Sequence, residues 1–340
     1  MMNRIMHLLP QELAGIIAQL PMSSMRELEE IRIRQDRPLE VGFGGRFQFA
    51  GADGSLHARP ELAYRPDQTV CSKLLERITN HSLYAMEEEL KRGYITVAGG
   101  HRIGLAGRTI LNQGEVKAIR EIGGFNIRIA REIHGACAGL LPKLLDWPRK
   151  TLLPTLLIGP PQQGKTTVIR DLARCISAGS WEHPAAASWP GRKVGVVDER
   201  SEIAASVRGV PSFDLGPRAD VMDACPKAEG MMMLLRSMSP EVIVVDEIGR
   251  QEDAEAVREA AHAGVCVVAT AHAYDLEDAR GRPVLRSLID EGVFAAAARL
   301  RKSQAGIEFD VISLRRAGAP AAREPTLSEQ KQAIARGQPR

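Results

Sequence analysis

Residues Gly159-Pro160-Pro161-Gln162-Gln163-Gly164-Lys165-Thr166 form a glycine-bounded loop ending in Lys-Thr, and nothing else in the chain constrains its fold as tightly. Before it lies Thr155-Leu156-Leu157-Ile158, an apolar run of strand type. After it, Thr167 to Ser177 places Val168, Ile169, Leu172 and Ile176 at helical spacing. Strand, inward-turned backbone N–H groups and the positive end of a helix together cradle a polyphosphate. The expected contacts run over Gly159, Pro160, Pro161, Gln162, Gln163, Gly164, Lys165, Thr166 and Thr167. Lys165 reaches the β- and γ-phosphate oxygens and the Thr166 hydroxyl ligates Mg²⁺, so a nucleoside triphosphate, ATP or GTP, and Mg²⁺ are the expected cofactors.

The surroundings agree with such a unit. Residues 151–316 alternate strand candidates (Thr155–Ile158, Lys193–Val197, Glu241–Val245, Val265–Ala269, Phe309–Leu314) with helices (Thr166–Ser177, Lys227–Ser237, Glu252–Ala263, Pro283–Asp290). This alternation predicts an α/β domain with a parallel sheet covered on both faces. Ser177 to Pro190, rich in Ala, Ser, Pro and Trp, reads as a surface loop, and Asp214 to Asp220 as an ordered loop leading to the helix that holds Met231, Met232 and Met233. A methionine cluster is more often core filler than a recognition surface. Residues 1–150 read as a separate α+β domain with a small sheet. Leu13, Ile16, Ile17 and Leu20 have helical spacing, as do Leu74, Leu75, Ile78 and then Leu83, Met86 and Leu90. Ile31, Ile33, Val41, Phe43, Tyr94–Val97, Arg102–Arg108 and Phe125–Arg131 have strand character. Residues 317–340 have the composition of a disordered tail.

Two acidic residues, Asp246 and Glu247, close the apolar strand Glu241–Val245 and reach the sheet edge where ligands bind. Asp246 is the expected second support of Mg²⁺, and Glu247 is placed to orient or deprotonate a water. A mere binding module needs no second carboxylate, so the pair points to hydrolysis. Val265–Ala269 runs on to Thr270 and His272. His272 is either a sensor of the γ-phosphate or an ordinary loop histidine. Asp198-Glu199-Arg200-Ser201-Glu202 also follows a strand. Glu199 or Glu202 supports the metal or the water there, with Arg200 neutralising them, or the group is a strand-end salt-bridge cluster. An oligomeric ATPase takes an arginine from a neighbouring copy, and the candidates are Arg102, Arg108, Arg120, Arg128, Arg131, Arg218 and Arg236.

Composition excludes several alternatives. A net charge of +3 on 340 residues argues for neither nucleic acid nor an anionic membrane, and 4% aromatic residues leave few stacking platforms. The five cysteines show no zinc-ligand spacing. The first twenty residues, with Arg4 and Glu12, have no signal-peptide pattern, and no uncharged apolar run reaches the ~18 residues needed to span a bilayer.

Several longer motifs carry a resemblance. Thr79-Asn80-His81-Ser82-Leu83-Tyr84-Ala85, Gly93-Tyr94-Ile95-Thr96, Gly99-Gly100-His101-Arg102 and Asn126–Arg131 occur with Val197–Ile203, Cys225–Gly230 and Arg236–Pro240. Over residues 70 to 315 the chain resembles the stage III sporulation protein AA family, the cytosolic ATPases of the sporulation channel, related to the ATPases of type II secretion and type IV pili. The resemblance implies a RecA/AAA-like sheet with the strand ending at Thr270 between the two motif strands. It implies a homo-oligomeric ring, hexameric in such ATPases, docked through an integral membrane protein on the cytoplasmic face of the mother-cell membrane, driving assembly of or transport through a channel to the forespore. Gln162 and Gln163 stand where such proteins often carry glycine, which makes the loop less permissive. Two other readings remain: a nucleotide-gated assembly scaffold with negligible turnover, and a single-strand nucleic-acid ATPase using the arginines of Phe125–Arg131.

Overall fold

The computed structural model describes residues 2–79, 87–97, 99–112, 115–130, 132–303 and 306–314. Asn80–Met86 with its motif and helical positions, Arg131 and the tail from Ala317 lie outside them. The chain divides into two compact units, Met1–Arg131 with Ala205–Val207, and Glu132–Ala204 with Arg208–Arg340.

The first unit follows the alternation in its sequence. Three short helices, α1 (Met2–Leu8), α2 (Gln11–Ala18) and α3 (Met22–Glu27), lead to β1 (Leu28–Arg34), β2 (Glu40–Phe43), β3 (Arg46–Ala50) and β4 (Leu56–His57). Then come α4 (Gln68–Ile78), α5 (Glu87–Arg92), β5 (Tyr94–Val97), β6 (His101–Asn112) and β7 (Glu115–Arg128). Asp67 caps α4 by accepting the Val70 N–H at 2.8 Å. The strands pair antiparallel in the order β4-β3-β2-β1-β7-β6-β5. With seven strands this sheet is larger than the small one expected from sequence. Ile31, Ile33, Ile103, Phe125 and Ile127 alternate onto one face and pack with Leu13, Ile16, Ile17 and Leu74 of the helices.

The second unit is organised around buried strands. It contains β8 (Leu145–Asp146), β9 (Thr151–Leu152), β10 (Thr155–Ile158), α6 (Lys165–Ala178), β11 (Val194–Asp198), β12 (Ala219–Asp223), α7 (Lys227–Ser237) and β13 (Val242–Val245). It continues through α8 (Gln251–His262), β14 (Cys266–Ala271), α9 (Leu276–Gly281), α10 (Pro283–Glu291), β15 (Ala296–Ser303) and β16 (Gly306–Ser313). The main sheet runs β12-β11-β13-β14-β10-β15-β16, parallel throughout except for the last pair. β14 thus lies between the loop strand β10 and the acidic strand β13, as the family resemblance implies. Strand alternation sends Leu157, Val196, Val244 and Val268 to a core shared with α6, and Leu156, Val197, Val245 and Ala269 to one shared with α7, α8 and α10. Residues 132–150 belong here rather than with the first domain, because Cys137, Leu140, Leu141 and Leu144 complete the α6-side core.

Three segments differ from their sequence reading. The Ser177–Pro190 stretch is no surface loop: Trp181 and Trp189 are buried, meet ring to ring at 5.7 Å, and Trp147 packs on Trp189 at 5.1 Å. The Asp214–Asp220 loop runs directly into β12, a half-exposed edge strand. The sheet is not wholly parallel, since β16 closes an antiparallel hairpin with β15.

Candidate active site

The carboxyl ends of β10, β11, β13 and β14 meet at one edge of the second sheet, the edge at which open α/β sheets bind ligands. There the Gly159–Thr166 loop, a P-loop by its sequence, lines a cavity of about 770 Å³ together with Asp246, Glu247 and His272. The opposite wall is His134–Ala136, and Lys302, Ile307 and Phe309 of the β15–β16 hairpin.

The loop closes on its own lysine. Lys165 opens α6, is 6% exposed, and donates to the carbonyls of Gly159 at 2.7 Å and Pro160 at 2.8 Å. Burial pushes its pKa below the usual lysine value, against the pull of Asp246 and Glu247. Gly164 needs to be glycine: its φ is +90°, and a Cβ there would sit 2.9 Å from Ile307 Cδ1. Gln162 takes φ +63° without being glycine, a conformation costing about 1–2 kcal/mol. Gln163 ties the loop to β15 by accepting the Lys302 N–H at 2.7 Å.

One threonine holds the acidic pair. The Thr270 hydroxyl donates to Asp246 Oδ1 at 2.5 Å and accepts the Glu247 N–H at 2.8 Å. Asp246 Oδ2 accepts the Thr166 hydroxyl at 3.3 Å. Thr166 and Asp246 therefore present a hydroxyl and a carboxylate side by side, an oxygen donor set that suits a hard cation such as Mg²⁺. Glu247 sits at φ +40°, a left-handed backbone held by the Thr270 bond.

His272 links the two halves of the site. Its Nδ1 lies 3.0 Å from Lys165 Nζ, which can only donate, so Nδ1 accepts and the ring proton sits on Nε2. Nε2 faces Glu247 Oε1 at 3.2 Å, and Arg200 approaches Glu247 Oε2 at 3.5 Å. Lys165, His272 and Glu247 thus form a continuous chain.

The Asp198–Glu202 segment divides its roles. Asp198 is buried and accepts the N–H groups of Glu202, Ile203 and Ala204 at 2.8–2.9 Å; burial raises its pKa to about 6. Glu199 pairs with Lys227 and stands off the cavity, whereas Glu202 lines it. Arg200 meets Glu247 instead of neutralising Glu199 or Glu202. Arg170 of α6 donates to the Ile203 carbonyl at 2.6 Å and stacks over Phe213 at 4.1 Å, fixing this segment to the helix behind the loop. Among the candidate shared arginines, Arg102 stacks over Tyr94, Arg108 pairs with Glu121 and Arg218 donates to the Ser177 carbonyl. The His134–Ala136 and hairpin walls escaped the sequence reading, since only folding brings them to the loop.

Across residues 2–312 the chain matches the family described as "Sporulation stage III, protein AA". It belongs to that family. It is 45% identical over 306 residues to stage III sporulation protein AA of Bacillus subtilis (strain 168), covering 89% of this chain and 92% of that relative. The ATPase DotB of Legionella pneumophila is similar in structure, with TM-score 0.54 and 16% identity over 85% of this chain and 78% of that one. So is the pilus retraction motor PilT, solved with bound ADP, with TM-score 0.52 and 15% identity over 92% and 84% of the two chains. At these identities the likeness is one of fold, and this family member has the P-loop fold of the secretion ATPases. No helix among its described residues is long and apolar enough to cross a membrane.

Proposed function

We propose that this family member is an Mg²⁺-dependent ATPase of the secretion-motor kind. The observation that carries the reading is the single bonded constellation of Lys165, His272, Glu247, Asp246 and Thr166 lining one cavity, its two carboxylate residues joined by the buried Thr270. Lys165 and the backbone N–H groups of the loop from Gln162 to Thr167 bind the phosphates. Thr166 and Asp246 hold Mg²⁺, which neutralises phosphate charge when bound. Glu247 takes the proton of the attacking water, and His272 couples its position to Lys165. An arginine of a neighbouring copy completes a ring, hexameric in our reading. The first unit carries motion to an integral membrane protein of the sporulation channel, on the cytoplasmic, mother-cell side. Family membership and the secretion-ATPase fold support this placement.

One observation favours a quieter protein. Both Glu247 oxygens are engaged, by His272 and Arg200, which suits a nucleotide-gated scaffold or a motor silent until a partner binds.

The test is ATP turnover of the purified chain across protein concentration, beside Glu247→Gln. Turnover per subunit that rises with concentration and drops at least about a hundredfold in the variant supports the ring ATPase. Tight ATP binding with concentration-independent, near-zero turnover selects the scaffold or a motor that only its partner switches on, and equal rates in both proteins remove Glu247 from the mechanism.

A further inference from the structure

Beyond Glu247 the second unit contains another cavity, of about 430 Å³. It shares Arg200, Glu247 and His272 with the nucleotide cavity, so these three side chains form a common wall. Its remaining polar lining is mainly cationic: Lys227, Arg250 and Arg282. The acidic groups that face it are already engaged. Glu199 pairs with Lys227, Asp253 accepts the N–H groups of Gly249 at 3.1 Å and Arg250 at 3.0 Å, and Glu247 holds His272. By contrast, Arg200 to Glu247 at 3.5 Å and Arg282 to Asp278 at 3.4 Å are long contacts between partly exposed groups. Good charge-assisted bonds are near 2.7–2.9 Å, so both guanidiniums have capacity for a better acceptor.

We propose that this second cavity binds inorganic phosphate and is the route by which it leaves ahead of the nucleoside diphosphate. The proposal rests on the ATPase reading above. In an in-line displacement the attacking water and the leaving diphosphate lie on opposite sides of the transferred phosphorus. Glu247 marks the water side. The new phosphate is therefore released between the diphosphate, still held by the loop and Lys165, and Glu247. Toward the loop its way is blocked; past Glu247 it meets the second cavity.

As the water oxygen bonds to phosphorus, its proton goes to Glu247 and the bond from phosphorus to the bridging oxygen breaks, with the electron pair leaving on the diphosphate. The Arg200 guanidinium lines both cavities, and its long contact with Glu247 leaves it able to turn to the phosphate and pass it toward Arg250 and Arg282.

The test uses the full chain with Arg250→Gln and Arg282→Gln combined, residues outside the P-loop and the acidic pair. Single-turnover quench-flow reads phosphate formed, and a fluorescent phosphate sensor reads phosphate free in solution. The expected result is unchanged formation with free phosphate delayed at least about tenfold, since tenfold is the weight of one charge-assisted bond and the variant removes two guanidiniums. Free-phosphate traces that superimpose on those of wild type overturn the route. A second measurement needs no turnover: ³¹P line broadening of inorganic phosphate titrated into ADP-loaded protein. Saturable broadening in wild type that is lost in the double variant supports the site, and equal broadening in both, or none in wild type, overturns it. Absence of turnover in wild type bears on the ATPase reading alone, and the titration still decides whether the cavity holds phosphate.

Discussion

Thr270 uses one oxygen for two tasks, accepting from Glu247 and donating to Asp246. Thr270→Val keeps the shape and removes both bonds, leaving a part-buried N–H and a part-buried carboxylate oxygen without this partner, at about 1 kcal/mol each. A lower melting temperature and a loss of turnover larger than the stability change are expected, with Thr270→Ser restoring both; turnover unaffected by Thr270→Val removes its positioning role. Asp198 offers a test by pH. Its folded pKa of about 6 lies above the ordinary aspartate value, so the folded protein binds more protons in that window than the unfolded chain. Its contribution is full below the ordinary value and is lost as pH rises through about 6. The stability of wild type relative to Asp198→Asn should therefore increase from pH 7 to pH 5 in urea titrations, and a flat difference contradicts a raised carboxyl. At this scale the sequence made the loop, Asp246 and Glu247 plain, because each sits in a fixed offset from an apolar strand. It left His272 and Arg200 open, since their partners come from other strands.

Elements show where pattern reading works and where it stops. β10, β11, β13 and β14 are short apolar runs buried on both faces, and each was recognisable within about two residues of its ends. β12 and β15 were not. β12 is polar and half-exposed at the sheet edge, and β15 begins with three alanines, which have little strand preference. Trp181 and Trp189 were hidden among Ala, Ser and Pro, whose composition imitates a loop. Packing between elements is tight at Gly230 of α7, where an added Cβ would lie 2.6 Å from Val197 Cγ1 of β11. Gly230→Ala is expected to cost about 1–3 kcal/mol by overpacking. A thermal melt measures it, and an unchanged midpoint means that α7 can move off the sheet.

Across the whole molecule, every residue of the constellation belongs to the second unit. Nucleotide should therefore slow amide exchange at Gly159–Thr167, Asp246–Ile248 and Thr270–His272 far more than in the first sheet, as hydrogen-exchange mass spectrometry with a non-hydrolysable ATP analogue would read. Equal protection of both sheets would mean that the first unit takes part in binding. The division after Arg131 was not legible, because the apolar positions of residues 132–150 show no period that assigns them to either neighbour. The tryptophan cluster gives the same division a spectroscopic form. All three tryptophans, Trp147, Trp181 and Trp189, lie in the second unit, while Tyr64, Tyr84 and Tyr94, three of the four tyrosines, lie in the first. Indole emission from this protein is consequently a signal from the second unit, and phenol emission comes mostly from the first, so the two halves can be watched separately without a label.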